Sequence, residues 1–148
     1  MKRGLSQMKA TLSVFGEKFS PKNFSTYIEI NPTEIWNKGD EILSRSGLER
    51  KTSTKRFRKE FAWEYSLGFI ETLYFDEIAN KLESIFRSKA LFIKSYIEKH
   101  NLNSKIEVVV EIKKDQVPSL FLSNSFISFL NDLGAEIDFD LYIVDNEK

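Results

Sequence analysis

Apolar and polar residues alternate along residues 8–15, 55–69 and 135–145, a pattern typical of β-strands with one face on a core and one in water. In segment 55–69 the apolar face carries Phe57, Phe61, Trp63, Tyr65 and Leu67. Its other face carries Arg56, Arg58, Glu60, Ala62 and Glu64. Residues 105–114 predict a further long strand, and residues 33–38 predict a short strand or turn.

A helical period replaces the alternation between Phe75 and His100, with a break expected at residues 87–89 and Asp76 as the N-terminal cap. A short helix is predicted after Ser20, which can cap it, and it should end before Pro32. Another helix is predicted after Ser123 or Ser125, and Gly134 is suited to end it.

The order of these elements predicts one α+β domain over residues 1–148. We expect a mostly antiparallel sheet of about five strands, with a long helix and two shorter helices packed on one face. Residues 41–55 are polar and predict a long loop, and residues 1–7 and 146–148 are expected to be flexible ends.

Composition narrows the chemistry that the chain can carry. Its 148 residues include no Cys and one His, so thiolate catalysis and Cys-containing metal sites are excluded, and we expect no cofactor and no bound metal. Neither a signal-peptide apolar region nor a membrane-spanning run is present, which favours a cytoplasmic protein. The net charge is zero, but residues 1–60 hold 13 basic against 7 acidic residues and the remainder holds 9 against 15.

Several short motifs are spread over residues 9–143. They are an F-x-P before the first helix, I-x-P-T at residues 30–33, K-G-D at 38–40, a strand Trp at 63 and L-G-A-x-I-D-x-D-x-Y at 133–142. This layout resembles the bacterial domain-of-unknown-function family 4279. The resemblance implies a small intracellular protein and supplies no catalytic residues. Small families of this kind often occur among immunity proteins of bacterial toxin systems.

Trp36, Lys38 and Asp40 form the first candidate site, because an indole, a cation and an anion lie close in sequence. The competing interpretation is a turn set by the Pro, Gly and Asp, with Ile35 or Trp36 filling the edge of the core. We favour the turn, which delivers Trp36 toward an aromatic-rich sheet.

Arg56, Arg58 and Lys59 form the second candidate, together with Arg45, Arg50 and Lys51 of the preceding loop. Such a cluster beside aromatic residues could hold phosphates or single-stranded nucleic acid. Glu60 and Glu64 share its strand face, however, so a solvated surface is the favoured interpretation.

Glu136, Asp138 and Asp140 form the third candidate, an acidic line on one strand face that could attract a basic protein. Carboxylates two residues apart on a strand lie about 7 Å from one another, so they do not close on one metal ion unaided. The competing interpretation is a solubilising face that prevents edge-to-edge pairing.

Three functional hypotheses follow. The leading one is a non-enzymatic protein-binding domain, an immunity protein that neutralises a basic toxin domain by direct binding. The alternative is a nucleic-acid or phosphate-binding module that uses Arg56 and its neighbours. The third is an enzyme that uses carboxylates in a pocket near Trp36 and Trp63.

Overall fold

The computed structural model describes residues 4–43 and 54–144, which form one sheet and its helices. The strands are β1 (Gln7–Gly16), β2 (Glu34–Trp36), β3 (Phe61–Glu71), β4 (Asn103–Lys113) and β5 (Glu136–Val144). The α-helices are α1 (Pro21–Ile28), α2 (Phe75–Phe86), α3 (Ala90–Lys99) and α4 (Asn124–Leu133), with a 3₁₀ turn at Arg87–Lys89. None of the helices in these two ranges is long and apolar enough to cross a membrane.

The five strands lie in the order β2-β3-β1-β4-β5. Three neighbouring pairs are antiparallel, whereas β4 and β5 are parallel. A parallel pair needs a crossover connection, and α4 supplies it. The predicted α+β class with a mostly antiparallel sheet is confirmed.

The core lies between the helices and one face of the sheet. The strands contribute alternate residues to it: Met8, Ala10, Leu12 and Val14 from β1, and Ile106, Val108 and Val110 from β4. The helices contribute buried aromatic and aliphatic residues, among them Phe24, Phe75, Leu82, Phe86, Ile93, Phe126 and Phe129. Among the described residues, the other face of the sheet contributes no side chain to this buried cluster.

Trp63 is fully buried in this core and fixes α1 against β3. Its ring meets Phe24 and Phe86 edge to face, at centroid distances of 5.2 and 6.3 Å. Its indole Nε1 donates a hydrogen bond of 2.7 Å to the Ser25 hydroxyl. The strand tryptophan of the sequence motif is therefore a packing residue with a satisfied polar atom.

The ends of the helices test the predicted caps. The hydroxyls of Ser20 and Ser123 accept backbone N–H groups at the starts of α1 and α4, and Gly134 ends α4 with a φ of 69°. The prediction that Asp76 caps α2 is wrong. Tyr74 occupies that position without a side-chain bond, and Asp76 lies in the first turn, where its charge suits the helix dipole.

The side chain of Ser6 holds the start of the described chain. Ser6 is fully buried, and its hydroxyl donates to the Gln116 carbonyl and accepts from the Lys113 N–H. These bonds tie Ser6 to the end of β4, and Gln7 is the first residue of β1, while the expected flexibility of residues 1–7 stays a prediction. Residues 1–3 and the predicted flexible end at 146–148 lie outside the described residues.

The predicted loop at 41–55 is partly a paired structure. Residues 37–43 and 54–60 run side by side and are called the arm below. Arg58 N–H donates to the Asp40 carbonyl at 2.7 Å, and Ile42 N–H donates to the Arg56 carbonyl at 2.8 Å. Residues 44–53 of the predicted loop lie outside the described residues.

The alternation that predicted a strand over 55–69 extends beyond the regular strand. Regular β3 begins at Phe61, because the chain bends at residues 59–60. Phe57 was expected to share the core face with Trp63. That expectation is wrong: Phe57 is 53% exposed and lies beside a groove on the opposite side of the sheet.

Candidate functional site on the open face of the sheet

The side of the sheet opposite the described helices is called the open face. The strand register lines up its residues in rows across the sheet. One row contains Glu34, Glu64, Ser13, Lys105 and Glu136, and the next contains Ser66, Thr11, Glu107 and Asp138. Charged residues from four strands are thereby brought together from distant parts of the chain.

The arm rises beside these rows and closes one side of a groove of about 770 Å³. The groove is lined by Ser13, Phe15, Trp36, Ile42, Arg56, Phe57, Arg58, Lys59, Glu60, Ala62, Glu64 and Glu107. Basic side chains come from the arm, and Glu64 and Glu107 come from the sheet. The groove thus has a cationic wall and an anionic floor.

Trp36 forms part of this wall and is not a core residue. It pairs with Ala62 across β2 and β3, on the open face, whereas its neighbour Ile35 pairs with Trp63 and packs against the core. Of the two residues expected at the edge of the core, Ile35 is therefore the one that fills it, and Trp36 is not. In a strand, neighbouring side chains point to opposite faces, so Ile35 in the core places Trp36 in the groove.

Arg58 covers the Trp36 ring. Its guanidinium carbon lies 3.8 Å from the ring centroid, within the range of a cation–π interaction. The backbone of Arg58 is held on both sides, because its N–H donates to Asp40 and its carbonyl accepts from Gly39 at 2.8 Å. The Arg58 guanidinium is therefore stacked on the Trp36 ring at one end of the groove.

Glu64 lies on the floor, and burial raises its pKa above the ordinary value of 4.5. The nearby charges of Glu34 and Glu107 raise this pKa further. A hydrogen bond of 3.3 Å from the Ser13 hydroxyl and the charge of Arg58 act in the opposite direction. The hydrogen bond and the nearby arginine thus do not fully offset the effects that raise the pKa of Glu64. A further cation in the groove would stabilise its charged form.

Glu34 and Glu64 are direct cross-strand partners on the open face. Like charges at directly opposite positions destabilise a strand pair. Thr33 reinforces the pair locally, because its N–H donates to the Glu64 carbonyl at 2.8 Å and its hydroxyl accepts from the Ser66 N–H at 3.0 Å. The threonine of the I-x-P-T motif therefore holds β2 where two carboxylates meet.

The predicted acidic line lies along the β5 part of the open face. Glu136, Asp138 and Asp140 point to that side, opposite Ile137 and Phe139. Lys105 lies between Asp138 and Glu107, at 3.3 and 3.6 Å, and its hydrogen bond to Asp138 raises the pKa of the lysine. The acidic line is therefore partly neutralised in its middle.

Lys38 and Asp40 do not join Trp36 in the groove. The Asp40 carboxylate accepts the Asn37 N–H at 2.7 Å, and Gly39 has a φ of 93° in the same turn. Lys38 is exposed at the tip of that turn. The candidate site of Trp36, Lys38 and Asp40 is therefore not assembled in the groove, and the favoured turn interpretation explains the K-G-D motif.

Only part of the second candidate site, the basic cluster, lies within the described residues. Arg56, Arg58 and Lys59 line the groove wall, whereas Arg45, Arg50 and Lys51 lie outside the described residues. The carboxylates of Glu60 and Glu64 line the same groove. The described part of the basic cluster therefore faces acidic groups.

Metal ligation has no visible support in residues 4–43 and 54–144, where no three His, Asp or Glu side chains are placed to hold an ion. His100 stacks on Tyr96 at a centroid distance of 4.2 Å, at the end of α3. It lies on the helix-bearing side of the molecule and does not line the groove.

Glu64 and Glu107 were not singled out by sequence reasoning. The only signal for them is their position on the polar side of alternating strands, which every solvated strand shares. Ser13 and Phe15 were likewise missed, and Phe15 lies on the open face of β1, opposite the buried face that carries Leu12 and Val14. Their meeting in one groove depends on strand order, which no local pattern contains.

Comparison with known proteins gives one match. Residues 6–144 match the family described as "Domain of unknown function (DUF4279)". No curated protein and no solved structure matches the chain. The matched range runs from the start of β1 to the last residue of β5, so it includes every strand that bears the groove.

Proposed function

The chain belongs to the DUF4279 family, whose description states no activity, and we propose that it is a protein-binding domain that holds a basic protein partner on its open face. The observation that carries this proposal is the acidic floor of the groove beside an aromatic wall. Glu64 and Glu107 supply the charge, and Trp36 supplies the apolar anchor.

The charge of the whole open face supports a basic partner. The strands place eight carboxylates there: Glu34, Glu64, Glu71, Glu107, Glu111, Glu136, Asp138 and Asp140. They place three lysines there: Lys9, Lys105 and Lys113. The arm adds one carboxylate, Glu60, and three cations, Arg56, Arg58 and Lys59, so the described face holds nine carboxylates against six cations. An excess of one sign over a face steers an oppositely charged protein and raises its association rate.

Apolar groups in the groove give the proposed interface its anchors. Trp36, Phe15 and Phe57 line the groove, and aromatic residues carry a large share of the binding energy in protein interfaces. In such an interface the aromatic residues supply affinity, and the charged residues around them supply specificity. A solubilising strand face would not need a concave aromatic wall.

In its finer form, the partner is a bacterial toxin domain that this chain neutralises in the cytoplasm. A toxin that acts on nucleic acids needs basic residues to contact the phosphates, and an acidic open face suits such a surface. No group of catalytic residues is needed for neutralisation by capping. The resemblance of the sequence motifs to this family also favours an immunity protein.

Co-expression tests this function. The protein encoded beside this chain should arrest growth when expressed alone, and this chain should restore growth. The proposal that the partner is a toxin is contradicted if the neighbouring protein is harmless, or if it remains toxic in the presence of this chain. Direct binding of the purified pair then tests the coarser protein-binding proposal separately.

The nucleic-acid alternative is less well supported. Arg56 and Arg58 line the groove, but Glu60, Glu64 and Glu107 line it too and would repel phosphates. This alternative predicts oligonucleotide binding that weakens steeply with salt. Absence of any mobility shift for a labelled single strand at low salt would remove it.

An enzymatic function remains a third candidate because a groove does lie beside Trp36, and Glu64 has the raised pKa that acid–base chemistry uses. Trp63, named with Trp36 in that hypothesis, is buried beneath the helices and does not line the groove. A catalytic role requires a reaction that Glu64→Gln abolishes without loss of partner binding.

A further inference from the structure

The side chain of Arg58 shows what the groove accepts. Its guanidinium lies against the Trp36 ring at 3.8 Å, and the carboxylates of Glu64 and Glu107 line the same groove. An aromatic face with carboxylates nearby is a usual environment for a bound guanidinium. The protein thus places one of its own arginines in a cation-binding site.

We propose that this end of the groove receives an arginine side chain of the protein partner, and that Arg58 fills the place until the partner displaces it. The inference rests on the proposed protein-binding function and adds the chemistry of the contact. It also assigns Arg58 a role as an internal competitor.

Displacement of Arg58 needs only a side-chain rearrangement. The backbone hydrogen bonds from Arg58 to Asp40 and from Gly39 to Arg58 hold the arm in place whichever way the side chain points. Exposed side chains change rotamer in picoseconds to nanoseconds. A cation–π contact at a partly exposed site is weak enough for an incoming arginine, held by further contacts, to replace it.

Guanidinium fits this place better than ammonium does. It is planar, stacks on an aromatic face and can still donate hydrogen bonds at its edge to a carboxylate. A lysine would keep the charge and lose the stacking. The floor carboxylates Glu64 and Glu107 offer acceptors for the donors at the edge.

The test uses the blocked peptide acetyl-Gly-Arg-Gly-amide and its counterpart with citrulline in place of arginine, which has nearly the same shape and no charge. The chain has two tryptophans, whose indole N–H signals report separately in a proton–nitrogen NMR spectrum. The arginine peptide should shift the Trp36 signal in a saturable way. The Trp63 signal, from a buried ring bonded to Ser25, should stay in place.

Variants test whether Arg58 competes with an incoming arginine or only forms part of the groove wall. Arg58→Gln should raise affinity for the arginine peptide about two- to fivefold, the equivalent of the lost cation–π contact. The matched control is Lys38→Gln, which removes the same charge from the same arm at a residue outside the groove. Glu64→Gln should weaken binding about threefold or more.

Three results would overturn the inference: equal shifts from the citrulline peptide, weaker binding by Arg58→Gln, or an equal gain from Arg58→Gln and Lys38→Gln. Failure of the wild type and Arg58→Gln to bind the arginine peptide would also overturn it, even if the neighbouring protein is neutralised. Conversely, peptide binding without any neutralisation would remove the toxin proposal and leave this site in place.

Discussion

The guanidinium carbon of Arg58 lies 3.8 Å from the centroid of the Trp36 ring, across the mouth of a groove on the open face of the sheet. One partner belongs to a three-residue strand and the other to the arm that follows it. The pair therefore joins a side chain of the arm to a side chain of the edge strand within the lining of the groove.

This contact should be measurable as a coupling energy. In a double-mutant cycle of Trp36→Ala and Arg58→Gln, we expect the two changes in the free energy of unfolding to differ from additivity by about 0.5 to 1 kcal/mol. Urea unfolding of the four proteins provides the values. Strict additivity would mean that the two side chains do not interact in the folded protein.

Glu64 should make stability depend on pH. Burial, and then the charge of Glu34, raise its pKa in the folded state, so the folded protein holds the proton more tightly than the unfolded chain. Stability from this group is therefore lost as the pH rises from the ordinary value of 4.5 through the raised pKa. Glu64→Gln should be more stable than the wild type at neutral pH, with a difference that shrinks below the ordinary value. Parallel stability curves for the two proteins would contradict this account.

The hydrogen bond between Trp63 and Ser25 should contribute to folding. Ser25→Ala leaves a fully buried indole N–H without its acceptor, which should lower the free energy of unfolding by about 1 to 2 kcal/mol. Thr26→Ala is the matched control, because Thr26 is exposed on the same helix and should change stability by less than about 0.5 kcal/mol. Equal effects of the two variants would show that the bond is not important for stability.

Ser123 should stabilise α4 through its cap. Its hydroxyl accepts the Phe126 N–H at 3.1 Å, and Ser123→Ala should cost about 1 kcal/mol of unfolding free energy. Ser128→Ala, at an exposed position within the same helix, should have little effect because alanine favours helices. Thermal unfolding compares the two, and a larger loss at Ser128 would contradict the assigned cap.

Long periodic segments made the architecture predictable. The alternation at 135–145 placed Ile137 and Phe139 on the core and Asp138 and Asp140 on the other face, as the structure has them. The helical period and its break at residues 87–89 were equally clear. The end of β5 departs from this pattern, because Leu141 and Ile143 follow the same alternation and are 56% and 88% exposed.

Short segments were not predictable in the same way. β2 has only three residues, so the sequence did not determine whether Ile35 or Trp36 faces the core. A shift of one residue reverses the faces of a strand. Phe57 was misplaced for a related reason, since the alternation continues through a bend that no glycine or proline marks.

The groove itself could not be found from local patterns. Glu34, Glu64 and Glu107 are far apart in the sequence and meet because β2, β3, β1 and β4 are neighbours in that order. The acidic line on β5 was visible, but the lysine that partly neutralises it, Lys105, is on another strand. Strand order is set by the packing of the whole domain.

The most direct test of the central claim is growth rescue by wild-type, Glu107→Lys and Glu98→Lys proteins, each co-expressed with the toxic protein encoded beside this chain. Glu107 lies in the middle of the open face, and Glu98 is exposed on α3. Circular dichroism should first show that both variants remain folded. The account predicts that Glu107→Lys loses most of the rescue while Glu98→Lys retains it. Full rescue by folded Glu107→Lys, or loss of rescue only in Glu98→Lys, would contradict a binding surface on the open face.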